Sequence, residues 1–161
     1  MAHNETPPYA ARLRTAREQT GRSIDEMAAL LGVTREAYWD LESYDDEVLT
    51  CLSIAQVAGL CRTLGLAPRA VFAEESRDEP GAITLEVLGL KIQAHLQAEQ
   101  MDLSAFEARV GWDVATWLER PQEFFTARYP VEALRDICQA IGVNWVAALS
   151  AIACQQPDED A

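Results

Sequence analysis

The chain has 161 residues and a mass of 17.8 kDa, with 49% apolar and 24% charged residues, enough to bury the core of one mid-sized domain or two small ones. No apolar run approaches the ~18 residues of a membrane helix, and no basic-then-apolar leader opens the sequence, so a soluble cytoplasmic protein is expected. Against 13 basic residues stand 26 acidic ones, a net charge of −13. That argues against broad, purely electrostatic nucleic-acid binding, which needs a positive surface facing the phosphates.

The hydrophobic periodicity is helical nearly throughout. Pro7 and Pro8 suit the first turn of a helix; Ala11, Leu13, Ala16 and Arg17 follow at helical spacing, and Gly21 ends the segment. Ser23 with Glu26 three residues later forms a capping box, opening a helix through Ile24, Met27, Ala28 and Leu31 that stops at Gly32. Thr34 can cap a third helix through Leu41. A polar loop is expected at Ser43, Tyr44, Asp45, Asp46 and Glu47. Ser53 and Gln56 make a second capping box for a helix through Ile54, Val57, Leu60, Cys61 and Leu64, ending at Gly65, and Pro68 starts a short helix through Val71 and Phe72. Residues 74–82 are charged and carry Pro80 and Gly81, which reads as a linker. Residues 154–161 read as an acidic tail that frays.

The second half repeats the first. A shift of 79 pairs Leu13 with Ile92, Ile24 with Leu103, Met27 with Phe106, Ala29 with Ala108, Leu31 with Val110, Gly32 with Gly111 and Tyr38 with Trp117. After the polar loop the shift is 77, and Ile54, Val57, Leu60, Cys61 and Gly65 meet Val131, Leu134, Ile137, Cys138 and Gly142. Each matched glycine falls just after a helix, where a left-handed conformation is cheap only for glycine. The expectation is an all-α protein of about ten helices in two tandem five-helix units, at 8–73 and 83–153.

Cysteine and histidine usage removes several chemistries. Cys51, Cys61, Cys138 and Cys154 show no close Cys-x-x-Cys spacing; Cys61 and Cys138 sit in apolar helical patterns and read as small core residues. The only histidines are His3, near the start, and His95, mid-helix, which disfavours a histidine metal site or triad. With no phosphate loop and no metal cluster either, an enzyme is not expected, and no cofactor or metal is implied.

The stretch from Leu13 to Phe72 carries Leu-Arg-x-x-Arg-Glu at 13–18, Ser-Ile-Asp-Glu-Met-Ala at 23–28, Leu-Gly-Val-Thr-Arg-Glu-Ala-Tyr-Trp-Asp-Leu-Glu at 31–42 and Leu-Gly-Leu at 64–66. These residues resemble the Cro/cI-type (XRE, lambda-repressor-like) helix-turn-helix family, and 83–153 resembles a degenerate second copy. The resemblance makes 24–31 the first helix of the motif and 35–42 the recognition helix. It implies a transcriptional regulator that reads double-stranded DNA in the major groove through Thr34, Arg35, Glu36, Trp39 and Asp40, with Ser23 and Thr34 near the phosphates. Arg35 suits guanine O6 and N7, and Glu36 or Asp40 could accept from cytosine N4. Arg17 and Glu42 match the family's structural ion pair; their counterparts at the repeat shift are Leu96 and Pro121, so both partners are lost together.

Charge pulls the other way. Residues 8–72 hold 7 Arg against 9 acids, and the stretch after the recognition helix is acidic at Asp45, Asp46 and Glu47. The alternative is therefore an acidic protein-interaction module on the same fold, such as an antitoxin, an immunity protein or a DNA mimic. The second unit offers few groove-reading groups and is expected to serve a homodimer or protein partner. Trp112, Trp117, Phe124, Phe125 and Trp145 read mostly as core.

Overall fold

A computed structural model describes residues 8–72, 83–121 and 128–155. Eleven helices run through the described residues: α1 (Tyr9–Gln19), α2 (Ile24–Leu31), α3 (Arg35–Leu41), α4 (Asp45–Thr50), α5 (Ile54–Leu64), α6 (Pro68–Phe72), α7 (Leu85–Glu99), α8 (Leu103–Val110), α9 (Val114–Glu119), α10 (Val131–Ala140) and α11 (Trp145–Ala153). No strand occurs among the described residues, and the fold is all-α. No described helix is long and apolar enough to cross a membrane.

The helix starts follow the local chemistry. Ser23 Oγ accepts from the Glu26 backbone N–H while Glu26 Oε2 accepts from that of Ser23 at 2.7 Å; Ser53 and Gln56 repeat the arrangement at α5. Thr34, Thr84, Asp102, Asp113 and Asn144 cap α3, α7, α8, α9 and α11 through side-chain oxygens, each satisfying N–H groups that a helix start otherwise leaves unpaired. At the ends of α2 and α5, Gly32 and Gly65 adopt φ of 67° and 64°, a left-handed turn that a Cβ would strain.

One expectation fails. Residues 45–47 do not lie in a polar loop: they form the first turn of α4. Three carboxylates at a helix N-terminus stabilise it against the macrodipole, and Val48 and Leu49, both buried, anchor the turn on the core. Asp45 also reaches across the fold, its Oδ1 accepting from the Ala10 backbone N–H at the start of α1 at 2.9 Å. This extra helix makes the described count eleven rather than ten.

Both runs of helices contribute to a single apolar core. Leu13, Met27, Tyr38, Ile54, Val57 and Phe72 come from the first run, and Leu88, Ile92, Phe106, Trp117, Leu134 and Leu149 from the second; all are buried. Helix α11 packs on α5 and α6, and α10 packs on α4. Phe72 meets Trp145 edge-on, ring centroids 5.7 Å apart. Cys61 and Cys138 are buried as expected, while Cys51 and Cys154 are exposed. The expected linker at 74–82, His3, Phe124, Phe125 and most of the acidic tail lie outside the described residues.

Candidate nucleic-acid interface

Helices α2 and α3 pack together across the Gly32 turn. Their inner faces supply Met27, Ala28, Leu31, Tyr38 and Leu41 to the core, and Val33 is half-buried against it. Ala28 has no side chain beyond Cβ, which suits a close helix crossing. The opposite face of α3 is left outside the core. Thr34, Arg35, Glu36, Ala37 and Trp39 are all exposed; Trp39 is 52% accessible, large for an aromatic ring.

The motif is held to α1 by a buried ion pair. Arg17 Nε donates to Glu42 Oε1 at 2.6 Å and Arg17 Nη2 to Glu42 Oε2 at 2.9 Å, a bidentate fork. The side chains are only 11% and 4% exposed. The remaining nitrogen, Nη1, donates to the Arg22 carbonyl at 2.9 Å. The Glu42 hydrogen bond raises the Arg17 pKa, so the guanidinium stays charged. Burial first, and the Glu42 carboxylate second, push the Tyr38 hydroxyl far above its ordinary range.

Four of the residues singled out from the sequence form one exposed face: Thr34, Arg35, Glu36 and Trp39. Asp40 is half-buried at the edge of that face, and Ser23 is not on α3 but is the N-cap of α2. Ser23 and Thr34 use their hydroxyls as caps, accepting from Glu26 and Ala37 at 3.2 Å. The Ser23 bonds hold the Glu26 carboxyl below the usual carboxylate range.

Two neighbours of this face were not legible as members of it. Asp25, in the first turn of α2, accepts from Arg35 Nη1 through Oδ2 at 2.8 Å and Oδ1 at 3.1 Å, both side chains being mostly exposed. Ten residues separate the two, and only the turn between the helices brings their starts together. Tyr44, 53% exposed, stands edge-on to Trp39 with centroids 6.4 Å apart. Two arginines of α1 have partners within the fold: Arg12 Nη1 donates to the Val71 carbonyl at 2.8 Å, and exposed Arg14 pairs with Glu18.

The corresponding face of α9 is built differently. At the 79-residue shift Arg35 becomes Val114, which is fully buried. Glu107 Oε1 accepts from the Ala115 backbone N–H at 2.7 Å, and Asp113 accepts from both the backbone N–H and the hydroxyl of Thr116. Carboxylates thus occupy the start of α9, and those bonds hold the Asp113 carboxyl below its usual range. Trp117 and Trp145 are buried, and half-buried Trp112 donates its indole N–H to Asp136 at 3.1 Å.

Residues 8–74 match a helix-turn-helix domain family, and this segment is a helix-turn-helix unit. No curated protein and no solved structure matched the chain.

Proposed function

We propose that the protein is a transcriptional regulator of the Cro/cI type that lays α3 in the major groove of duplex DNA. The observation that carries this reading is the outer face of α3, where Thr34, Arg35, Glu36 and Trp39 stand exposed together on a helix-turn-helix whose inner face is taken up by the core. Arg35 is the main base reader. Only its Nη1 engages Asp25, and the other edge of the guanidinium, Nε and Nη2, matches guanine O6 and N7. Exposed ion pairs of this kind are worth about 0.2–1 kcal/mol, so shifting Arg35 from Asp25 to a base costs little. Glu36 can accept from cytosine N4, and the Trp39 ring can pack on a thymine methyl. Because few cations meet phosphates on this face, affinity falls only shallowly with salt, each neutralised phosphate contributing a slope of about −0.9. Fluorescence anisotropy of wild type and Arg35→Ala against duplex at two salt concentrations tests this. Loss of about 1–3 kcal/mol on a cognate site is expected for the variant; no duplex binding by wild type at low salt refutes the reading.

A second reading draws on the exposed Trp39–Tyr44 pair, which sits among Glu36, Asp40 and Asp46 in the sequence. An aromatic patch edged by carboxylates suits a basic protein partner. In that case duplex is left unbound, and Asp46→Asn weakens the partner instead.

A further inference from the structure

The backbone repeats across the two halves. Helices α2 and α3 begin at 24 and 35, α8 and α9 at 103 and 114; α5 and α6 begin at 54 and 68, α10 and α11 at 131 and 145. The shifts are 79 for the first pairs and 77 for the second. Left-handed residues recur at the same shifts: Gly21 with Gln100, Gly32 with Gly111, and Gly65 with Gly142. Gln100 is the only described non-glycine residue with positive φ, at 51°, and it stands where the first run has a glycine.

The halves meet through their own equivalents. Ser53 and Pro130, 77 residues apart, form an antiparallel bridge, beside which the Val131 N–H donates to the Leu52 carbonyl at 2.9 Å. Helix α6 packs on α11, its own counterpart. Contact of a residue with its equivalent is what a two-fold axis produces, and in a symmetric dimer it defines an isologous interface. Here the interface is intramolecular and lined by buried Phe72, Trp145, Leu149 and Val131. A self-equivalent contact of the kind that would otherwise join two copies is thus made within one chain.

Among the described residues, the second half lacks a counterpart of the exposed face of α3. Where α3 exposes Arg35, α9 buries Val114, and carboxylates of Glu107 and Asp113 cover the start of α9. We propose that helices α7–α11 form a built-in, non-reading partner of the helix-turn-helix, so that one chain engages duplex DNA as a monomer, through a single asymmetric half-site. This rests on the DNA-binding reading above. Paired helix-turn-helix units instead require two half-sites about one helical turn apart, arranged as an inverted repeat.

The test has two independent arms on the full chain. Sedimentation equilibrium at micromolar concentration reports mass: a monomer is expected, and a dimer overturns the closed interface. The second arm is repeated selection from a pool of duplexes with a 25-base-pair random core. One unrepeated block of enriched sequence is expected, bound one chain per duplex. An inverted repeat, or two chains per duplex, overturns the proposal even where the mass is monomeric. No enrichment at low salt overturns the DNA-binding reading and the half-site with it, while the mass still decides the interface. On the enriched duplex, Thr116→Ala on α9 is expected to bind within about twofold of wild type. Arg35→Ala is expected to lose roughly 5- to 150-fold. Equal losses for both variants would show that α9 reads DNA and overturn the single-reader assignment.

Discussion

Replacing Arg17 with alanine isolates the ion pair that fastens α1 to the end of α3. The variant leaves the Glu42 carboxylate, 4% exposed, without its bidentate partner and the Arg22 carbonyl without a donor. Breaking a buried pair from one side costs about 3–5 kcal/mol, because a buried charge is left uncompensated. Against a total stability of roughly 5–15 kcal/mol for a native protein, that is about a fifth of it at the least. Glu42→Leu breaks the same pair from the other side and is expected to cost a comparable amount, because it leaves the Arg17 guanidinium, only 11% exposed, without its carboxylate. The double variant Arg17→Met with Glu42→Leu removes both charges and their desolvation together, so it is expected to lie near wild type or above it. Urea unfolding followed by far-ultraviolet circular dichroism, with an unchanged m-value, gives the three numbers. An Arg17→Ala cost under about 1 kcal/mol, or a double variant as costly as the two single changes combined, would refute the argument from burial.

Thiol labelling at pH 8 is expected to modify Cys154 first, because it is exposed, and Cys51 more slowly, because the Glu47 carboxylate raises its pKa and thins the thiolate. Buried Cys61, whose thiol is pushed up to about 12, and buried Cys138 react only on unfolding; equal native rates for all four would contradict the burial. Glu26 and Asp113 have folded pKa values below their unfolded ones, so their contribution is present above the unfolded value and is lost as pH falls through the folded one. Thermal melts between pH 6 and pH 2 should show that loss, diminished in Glu26→Gln, which keeps the capping geometry without the charge. Asp45→Ala removes the acceptor for the Ala10 N–H and is expected to cost about 1–2 kcal/mol in urea. Exposed Asp46→Asn should change stability by under about 1 kcal/mol while tightening duplex binding; an identical stability loss at both positions would dismiss the cross-fold bond. Gln100→Gly relieves a left-handed strain of about 1–2 kcal/mol at an entropic cost of about 0.4–1 kcal/mol, and a rise in melting temperature is the expected readout.

Much of the helical frame was legible because local chemistry dictates it. Ser23 with Glu26, Ser53 with Gln56, Thr34, and the glycines at 32 and 65 act within four residues of themselves, and each stands where its spacing places it. Helix α4 was not legible, because Asp45, Asp46 and Glu47 have the composition of a loop and only the burial of Val48 and Leu49 makes them a helix start. The Arg35–Asp25 pair was hidden for the same reason: its ten-residue separation means nothing until two helices are folded against each other. Phe72 against Trp145, and Ser53 against Pro130, required the packing of one half on the other.

Net charge misleads most where the carboxylates have internal work. Glu42 holds Arg17, Asp45 accepts from Ala10, Glu26 and Glu107 accept from helix-start N–H groups, Asp113 caps α9, and Asp136 binds the Trp112 indole and Arg135. Each of these is a short-range partner to a defined donor, and its field at a distant phosphate is weakened by the dipole or cation it faces. A composition of −13 therefore overstates the repulsion that DNA would meet at α3. What decides the encounter is the local set: one guanidinium at Arg35, its exposed partner Asp25, and Glu36, Asp40 and Asp46 around an aromatic pair. Neutralising Asp25 would act chiefly through its partner Arg35, whereas Asp46, which has no such pair with Arg35, would act chiefly through the charge that a bound duplex meets. On the proposed DNA-binding reading, the two variants would separate base reading from backbone repulsion on a single face.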